Sequence, residues 1–261
     1  MNEVLIAGLV IGITGLIIGL LLGFAAIKFA VPVDEKAEAI REFLPGNNCG
    51  GCGYAGCDAL AKAIAAGEAA VSACPVGGAA AAEKIGEVMG VEAESGNKKV
   101  AFVKCNGTCD KTTVQYNYYG VADCKRKAVI PGGGDKGCAF GCLGDGSCVA
   151  VCQFDAIHVV NGVAVVDRES CVACGKCVEE CPRNLIELIP YDTAHMVQCS
   201  SRDKGPQVMA VCDVGCIGCG ICAKQCEADA ITLEDNLAHI DPEKCTGCGK
   251  CAEKCPKKII A

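Results

Sequence analysis

Apolar and polar positions divide this chain unevenly. Val4 to Ile27 runs for 24 residues without a charge, and about 20 suffice to cross the hydrocarbon layer of a membrane. A transmembrane helix is therefore expected within residues 1–30, and Pro32 is expected to end it. Gly8, Gly12, Gly15, Gly19 and Gly23 fall on one helical stripe, which permits close approach of another helix, although glycine is common in such spans. Asp34 to Phe43 has the periodicity of a short amphipathic helix, and Asp58 to Ala70 and Ala79 to Val91 read as alanine-rich helices. A polar linker, Glu92 to Lys99, precedes the strand-like run Val100 to Cys105. Two later stretches, Ala156 to Val166 and Ala230 to Ile240, alternate over short runs broken at Asn161-Gly162 and at Glu234-Asp235-Asn236. Both are hairpin patterns.

Composition changes what such elements can do. The chain carries 25 Cys and 33 Gly, has 4% aromatic residues and lacks Trp. It has little large apolar material for a conventional core, so staples are needed. An odd number of cysteines in CxxCxxC runs suits a disulfide scaffold poorly. Structural zinc is equally poorly served, because the three His are not spaced as partners of a Cys pair. Iron–sulfur ligation remains, and it implies a reducing compartment. The net charge of −7 argues against nucleic acid as a partner.

The spacing supports that chemistry. Cys171, Cys174, Cys177 and Cys181, followed by Pro182, form the ferredoxin run in which three thiolates hold one cube and the fourth reaches a second. Gly175 allows the tight turn between them. The run recurs 74 residues on as Cys245, Cys248, Cys251, Cys255 and Pro256, and Cys142, Cys148 and Cys152 recur as Cys216, Cys222 and Cys226. Each repeat thus reads as a two-cluster ferredoxin domain of cysteine motif, hairpin and cysteine motif. In the second, Cys216, Cys219, Cys222 and Cys255 are expected to hold one cube, and Cys226, Cys245, Cys248 and Cys251 the other. In the first, Cys152, Cys171, Cys174 and Cys177 form one complete set. The other has Cys142, Cys148 and Cys181, with Asp145 where the second repeat has Cys219. Cys138 is the expected substitute because thiolate is the softer ligand for iron; the Asp145 carboxylate and an open or three-iron cluster are the alternatives.

Upstream, Cys49, Cys52, Cys57 and Cys74 make a further four-thiolate set, with Gly46, Gly50, Gly51, Gly53 and Gly56 letting amides turn toward the sulfurs. Five cysteines are left: Cys105, Cys109, Cys124, Cys199 and Cys212. Four of them could make a sixth cluster, or all could be buried thiols. The expectation is five [4Fe–4S] clusters plus this sixth. His158, His195 and His239 are not expected to be ligands. Lys125-Arg126-Lys127 and Lys254 with Lys257-Lys258 read as solvated faces, with docking of an acidic redox carrier as the alternative. No Gly-rich nucleotide loop or nucleophile constellation occurs.

The predicted fold class is α+β: a transmembrane helix (1–30), a small helical [4Fe–4S] domain (31–92), a connector (100–135), ferredoxin-like repeat 1 (136–190), a second connector (191–212) and ferredoxin-like repeat 2 (213–261). Glu3 is the one charge before the span, while Lys28, Lys36 and Arg41 follow it, so the iron–sulfur body is expected on the cytoplasmic side of a single-pass membrane protein. The apolar helix, the Cys49-Gly-Gly-Cys52-Gly-Tyr-Ala-Gly-Cys57 segment with Cys74-Pro75, and the ferredoxin repeats together resemble the RnfB family of Rnf complex subunits, in the long form with two repeats found in anaerobes. The resemblance spans essentially the whole chain. It implies an electron-relay component of a membrane-bound, Na⁺- or H⁺-translocating ferredoxin:NAD⁺ oxidoreductase. Its implied partners are soluble ferredoxin, the other membrane and flavin- or NAD-binding subunits, and membrane lipid. The competing readings are a polyferredoxin subunit of a hydrogenase or formate-oxidising complex, and a tethered redox sensor or cluster scaffold.

Overall fold

The computed structural model describes residues 2–29, 34–93 and 97–261; Pro32 and the middle of the Glu92–Lys99 linker lie outside the described residues. Helix α1 (Asn2–Lys28) is the one described helix long and apolar enough to cross a membrane, with a mean hydropathy of 2.4 over Gly8–Ala25. Leu9, Leu16, Leu20 and Phe24 project outward, and among the described residues nothing lies within 4 Å of a Cβ placed at any glycine of the stripe.

A small helical domain follows: α2 (Glu35–Phe43), α3 (Cys57–Ala65) and α4 (Gly78–Met89). Asp34 caps α2 by accepting the Lys36 N–H at 3.0 Å. Ile40, Leu60, Ile64 and Ile85 meet in the core between the three helices. Helix α3 stops at Ala65 rather than continuing to Ala70. Gly67 adopts φ +77°, and its N–H and that of Glu68 donate to the Ile64 and Ala63 carbonyls, closing the helix end. Gly90, at φ 69°, ends α4 in the same left-handed way.

The rest of the chain forms one continuous core spanning both repeats. In order it contains β1 (Lys99–Val103), α5 (Cys124–Ala128), α6 (Ser147–Ala150), β2 (Ile157–Val160), β3 (Val163–Val166), α7 (Lys176–Glu180), β4 (Ile186–Pro190), α8 (Gly205–Val211), α9 (Ile221–Lys224), β5 (Ile231–Glu234), β6 (Leu237–Ile240) and α10 (Lys250–Lys254). The run α6–β2–β3–α7 returns 74 residues later as α9–β5–β6–α10, residue for residue. The hairpins turn where the sequence predicts, through Asn161-Gly162 and Asp235-Asn236, all four at positive φ.

One boundary differs from expectation. Strand β1, read as part of a connector, pairs antiparallel with β4, from Lys99↔Pro190 to Val103↔Ile186. Val100 and Ala101 are buried there, which ties the segment into repeat 1. Its counterpart in repeat 2 is shorter: Val197 bridges Ile260, and Gln198 N–H donates to the Ile259 carbonyl at 2.8 Å, as Lys104 N–H does to Leu185 at 2.7 Å. The largest fully buried side chains are Ile, Leu and Val, none aromatic. At about 1.5–3 kcal/mol each they make a thin core for this length, and the cysteine-lined cavities lie within it.

Candidate metal centres

Four small cavities, alike in size, are each lined by four cysteines. Cys152, Cys171, Cys174 and Cys177 line one, and Cys216, Cys219, Cys222 and Cys255 another. Both groupings follow the ferredoxin spacing. Among the described residues, no three or more His, Cys, Asp or Glu side chains converge tightly enough for a single metal ion. The thiols instead surround a common space, as a multi-atom cluster with one thiolate at each iron requires.

The other two cavities group their cysteines differently from the sequence expectation. Cys142, Cys148 and Cys181 do not gather with Cys138: their fourth cysteine is Cys124. Cys124 opens α5, whose N-cap Asp123 accepts the Arg126 N–H at 2.8 Å. The Cys124 N–H donates to Ser147 Oγ at 2.8 Å, which binds this turn to α6. Asp145, the alternative to Cys138 in the sequence reading, lies against Lys127, whose Nζ its Oδ1 holds at 2.8 Å. Lys127 is 5% exposed, so it is no solvated residue. Burial pulls its ammonium down, but Asp145 and Asp135 outweigh that and hold it above the ordinary lysine range.

Cys138 lines the fourth cavity with Cys105, Cys199 and Cys212. Three of the five unassigned cysteines therefore gather as expected, but with a partner taken from the first repeat's set. Cys109 joins none of these four cavities; it is exposed, and its N–H donates to Asn161 O at 2.9 Å. The separate places of Cys124 and Cys138 are invisible along the chain because each depends on a crossing between distant segments.

In the small domain, Cys57 and Cys74 are buried with Cys52 packed beside them, and Cys49 lies on the same glycine loop. That loop rests on repeat 1: a Cβ at Gly51 would lie 2.7 Å from the Cys174 carbonyl oxygen. In repeat 2, Cys245 and Cys248 act electrostatically on Cys251, and Cys226 Sγ accepts the Ala230 N–H at 3.3 Å.

Backbone amides reach several other sulfurs: Gly77 N–H to Cys74 at 3.3 Å, Ala101 to Cys171 at 3.4 Å and Leu185 to Cys181 at 3.4 Å. Such donors stabilise negative charge on sulfur. Without metal several of the buried thiols resist ionisation. Burial, reinforced by neighbouring thiols, pushes Cys148 up to about 12. Burial likewise pushes Cys177 and Cys199 to about 11. Loading must therefore displace protons, with the positive charge of iron offsetting the desolvation.

His158 sits in β2 opposite Val165, and His239 in β6 opposite Thr232, both in hairpin strands. Lys125 pairs with Glu180 at 2.8 Å.

Family models agree with this layout. An Fe-S cluster model matches residues 44–76, a 4Fe-4S binding domain matches 164–187 and a 4Fe-4S dicluster domain matches 215–259. The dicluster match falls on repeat 2, while repeat 1, with Asp145 in place of a cysteine, matches over its second motif. Over 94% of its length the chain is 50% identical to the B subunit of the Na⁺-translocating ferredoxin:NAD⁺ oxidoreductase complex of Acetobacterium woodii, covering 73% of that protein. The chain belongs to the RnfB family, the B subunits of ion-translocating oxidoreductase complexes. The B subunit of the ion-translocating oxidoreductase complex of Methanosarcina acetivorans is 42% identical over 100% of this chain and 99% of its own length. The B subunit of the proton-translocating ferredoxin:NAD⁺ oxidoreductase complex of Clostridium ljungdahlii is 40% identical over 92% of this chain and 85% of that protein.

Proposed function

We propose that this chain is the electron-relay component of a membrane-bound, ion-translocating ferredoxin:NAD⁺ oxidoreductase of the Rnf type, taking electrons from reduced ferredoxin. The observation that carries this reading is the set of matched cavities, each lined by four cysteines, in a chain of this family. Six [4Fe–4S] sites are proposed. Their ligands are Cys49, Cys52, Cys57 and Cys74; Cys124, Cys142, Cys148 and Cys181; Cys152, Cys171, Cys174 and Cys177; Cys105, Cys138, Cys199 and Cys212; Cys216, Cys219, Cys222 and Cys255; and Cys226, Cys245, Cys248 and Cys251.

When bound, such a cluster takes up and releases single electrons at a potential its surroundings set. The chain's own residues do the rest. Thiolates fix the sites, amide N–H groups stabilise the added negative charge, and walls such as Val103, Leu143 and Ile186 keep water from the sulfurs. Helix α1 supplies the membrane anchor, with the iron–sulfur body on the cytoplasmic face. The carrier role is supported by the absence of any nucleotide-binding motif from the sequence.

Two measurements test this. Protein purified without oxygen should contain about 24 irons per chain with matching sulfide, as six cubes require; about 20 would remove one site, and zinc in place of iron would end the reading. Inverted vesicles carrying the whole complex should reduce NAD⁺ with reduced ferredoxin, and deleting this chain should abolish that activity. Undiminished activity after deletion would refute the role.

A further inference from the structure

The cavity lined by Cys105, Cys138, Cys199 and Cys212 has an internal symmetry that the sequence hides. Cys138 and Cys212 are 74 residues apart, the repeat offset, and each stands four residues before the first motif cysteine of its repeat. Cys105 and Cys199 are 94 apart, so the offset misses them, but their backbones are equivalent. Each follows a residue whose N–H donates to the matching carbonyl of its repeat, Lys104 to Leu185 and Gln198 to Ile259.

The surroundings repeat too. Cys142 N–H donates to Cys105 Sγ at 3.3 Å, and its counterpart Cys216 N–H donates to Cys199 Sγ at 3.3 Å. A Cβ at Gly141 would lie 3.6 Å from Cys138 Sγ, and one at its counterpart Gly215 would lie 3.7 Å from Cys212 Sγ.

Two cations complete the correspondence. Arg183 and Lys257 occupy equivalent places, two residues beyond Cys181 and Cys255. Arg183 donates to the carbonyls of Cys138 at 3.0 Å, Gly141 at 3.1 Å and Gly133. Among the described residues it meets no carboxylate, and its side chain also lines the cavity of Cys124, Cys142, Cys148 and Cys181. Lys257 donates to the carbonyl of Asp213, the residue after Cys212, at 3.0 Å, and lines the cavity of Cys216, Cys219, Cys222 and Cys255.

We propose that this central site belongs to neither repeat but is shared between them, each giving two thiolates, one amide donor and one cation from equivalent positions, with Arg183 and Lys257 as its counter-charges. The inference rests on the cluster reading above and deepens it. A cube held by four thiolates is net negative and becomes more so on reduction. Cations close to it therefore favour the reduced form and raise its potential. Arg183 is held by three carbonyls, one of them that of Cys138 itself, whereas Lys257 makes one such bond, to the residue after Cys212. The Arg183 contribution is accordingly the larger.

The test is an EPR-monitored redox titration of the full-length, cluster-loaded chain. The signal lost in both Cys199→Ala and Cys105→Ala identifies the central cluster. Arg183→Gln should move that signal to lower potential, Lys257→Gln should move it by less, and the double variant by both shifts together. Arg183→Lys, which keeps the charge, should restore most of the potential. The signals of Cys226, Cys245, Cys248 and Cys251 should not move in any of these variants. If Arg183→Gln loses iron, Lys257→Gln carries the test from the more open side. An unmoved central signal at full iron content overturns the counter-charge role, and so does a shift confined to another cluster. Loss of different signals in Cys199→Ala and Cys105→Ala overturns the shared site. About 20 irons in the parent chain would instead count against the six-site reading.

Discussion

The two ferredoxin repeats descend from one pattern, yet only the second contains all eight of its cysteines within its own span. Repeat 1 lacks the cysteine that repeat 2 has at Cys219 and completes its cavity with Cys124, which precedes the repeat. The vacated position now fastens the segment that brings the replacement thiol. Asp145, which stands there, pairs with Lys127 of α5, and Ser147, two residues on, accepts the Cys124 N–H. The corresponding residues of repeat 2 are Cys219 and Ile221, and Ile221 is exposed and holds nothing comparable. A four-thiolate site thus depends on where the sulfurs arrive rather than on which part of the chain delivers them. A cysteine can be lost from a motif when a neighbouring segment is anchored strongly enough to substitute.

The largest effect that could break this comparison is the loss of a cluster. Cys124→Ala and Cys219→Ala should each remove about four irons, and the EPR signals they lose should be different ones. Cys138→Ala should remove the central cluster instead, with the Cys124 site still loaded. If Cys124→Ala retains its iron while Cys138→Ala loses the signal of repeat 1, the arrangement expected from the sequence is correct and the cavity lining is not.

The anchor should be next in size. Lys127→Met leaves the largely buried Asp145 carboxylate beside Asp135 without a cation. Removing one partner of a buried pair costs about 3–5 kcal/mol. The denaturant midpoint for loss of iron–sulfur absorbance should fall, and the cluster of Cys124, Cys142, Cys148 and Cys181 should be lost first. Asp145→Asn should cost less, because Asp135 still faces Lys127 at 3.4 Å. A midpoint unchanged in Lys127→Met would show that α5 is held by something other than this pair.

Much of the fold was legible because it rests on local signals. Charge-free length marks α1, the turn residues Asn161-Gly162 mark a hairpin, and the ferredoxin spacing brings Cys171, Cys174 and Cys177 to one cavity. What the sequence hid depends on long-range closure. Strand β1 reads as an isolated apolar run, and only its pairing with β4 places Cys105 beside Cys138. The offset of 74 marks Cys138 and Cys212 as a pair, but insertions between β1 and repeat 1 displace Cys105 from the register of Cys199. Lys125-Arg126-Lys127 reads as a charged surface, because three adjacent cations do not reveal which of them turns inward toward Asp145.

The subtlest of these closures is the seat of the small helical domain on repeat 1, and it is tested by the smallest change. A methyl group at Gly51 would lie 2.7 Å from the Cys174 carbonyl oxygen and 2.9 Å from its Cα, both backbone atoms with little room to yield. Overpacking of this kind costs about 1–3 kcal/mol. The small domain has its own core around Ile40, Leu60, Ile64 and Ile85, so Gly51→Ala should displace it without unfolding it. Iron content should stay constant, while the magnetic coupling between the clusters of Cys49–Cys74 and Cys152–Cys177, seen in the EPR spectrum of the reduced chain, should weaken. Gly53, which has no atom within 4 Å of its Cβ position but adopts φ +83°, provides the control: Gly53→Ala strains the loop without touching repeat 1. Equal loss of coupling in both variants would mean that loop conformation, and not contact with Cys174, sets the distance between the two sites.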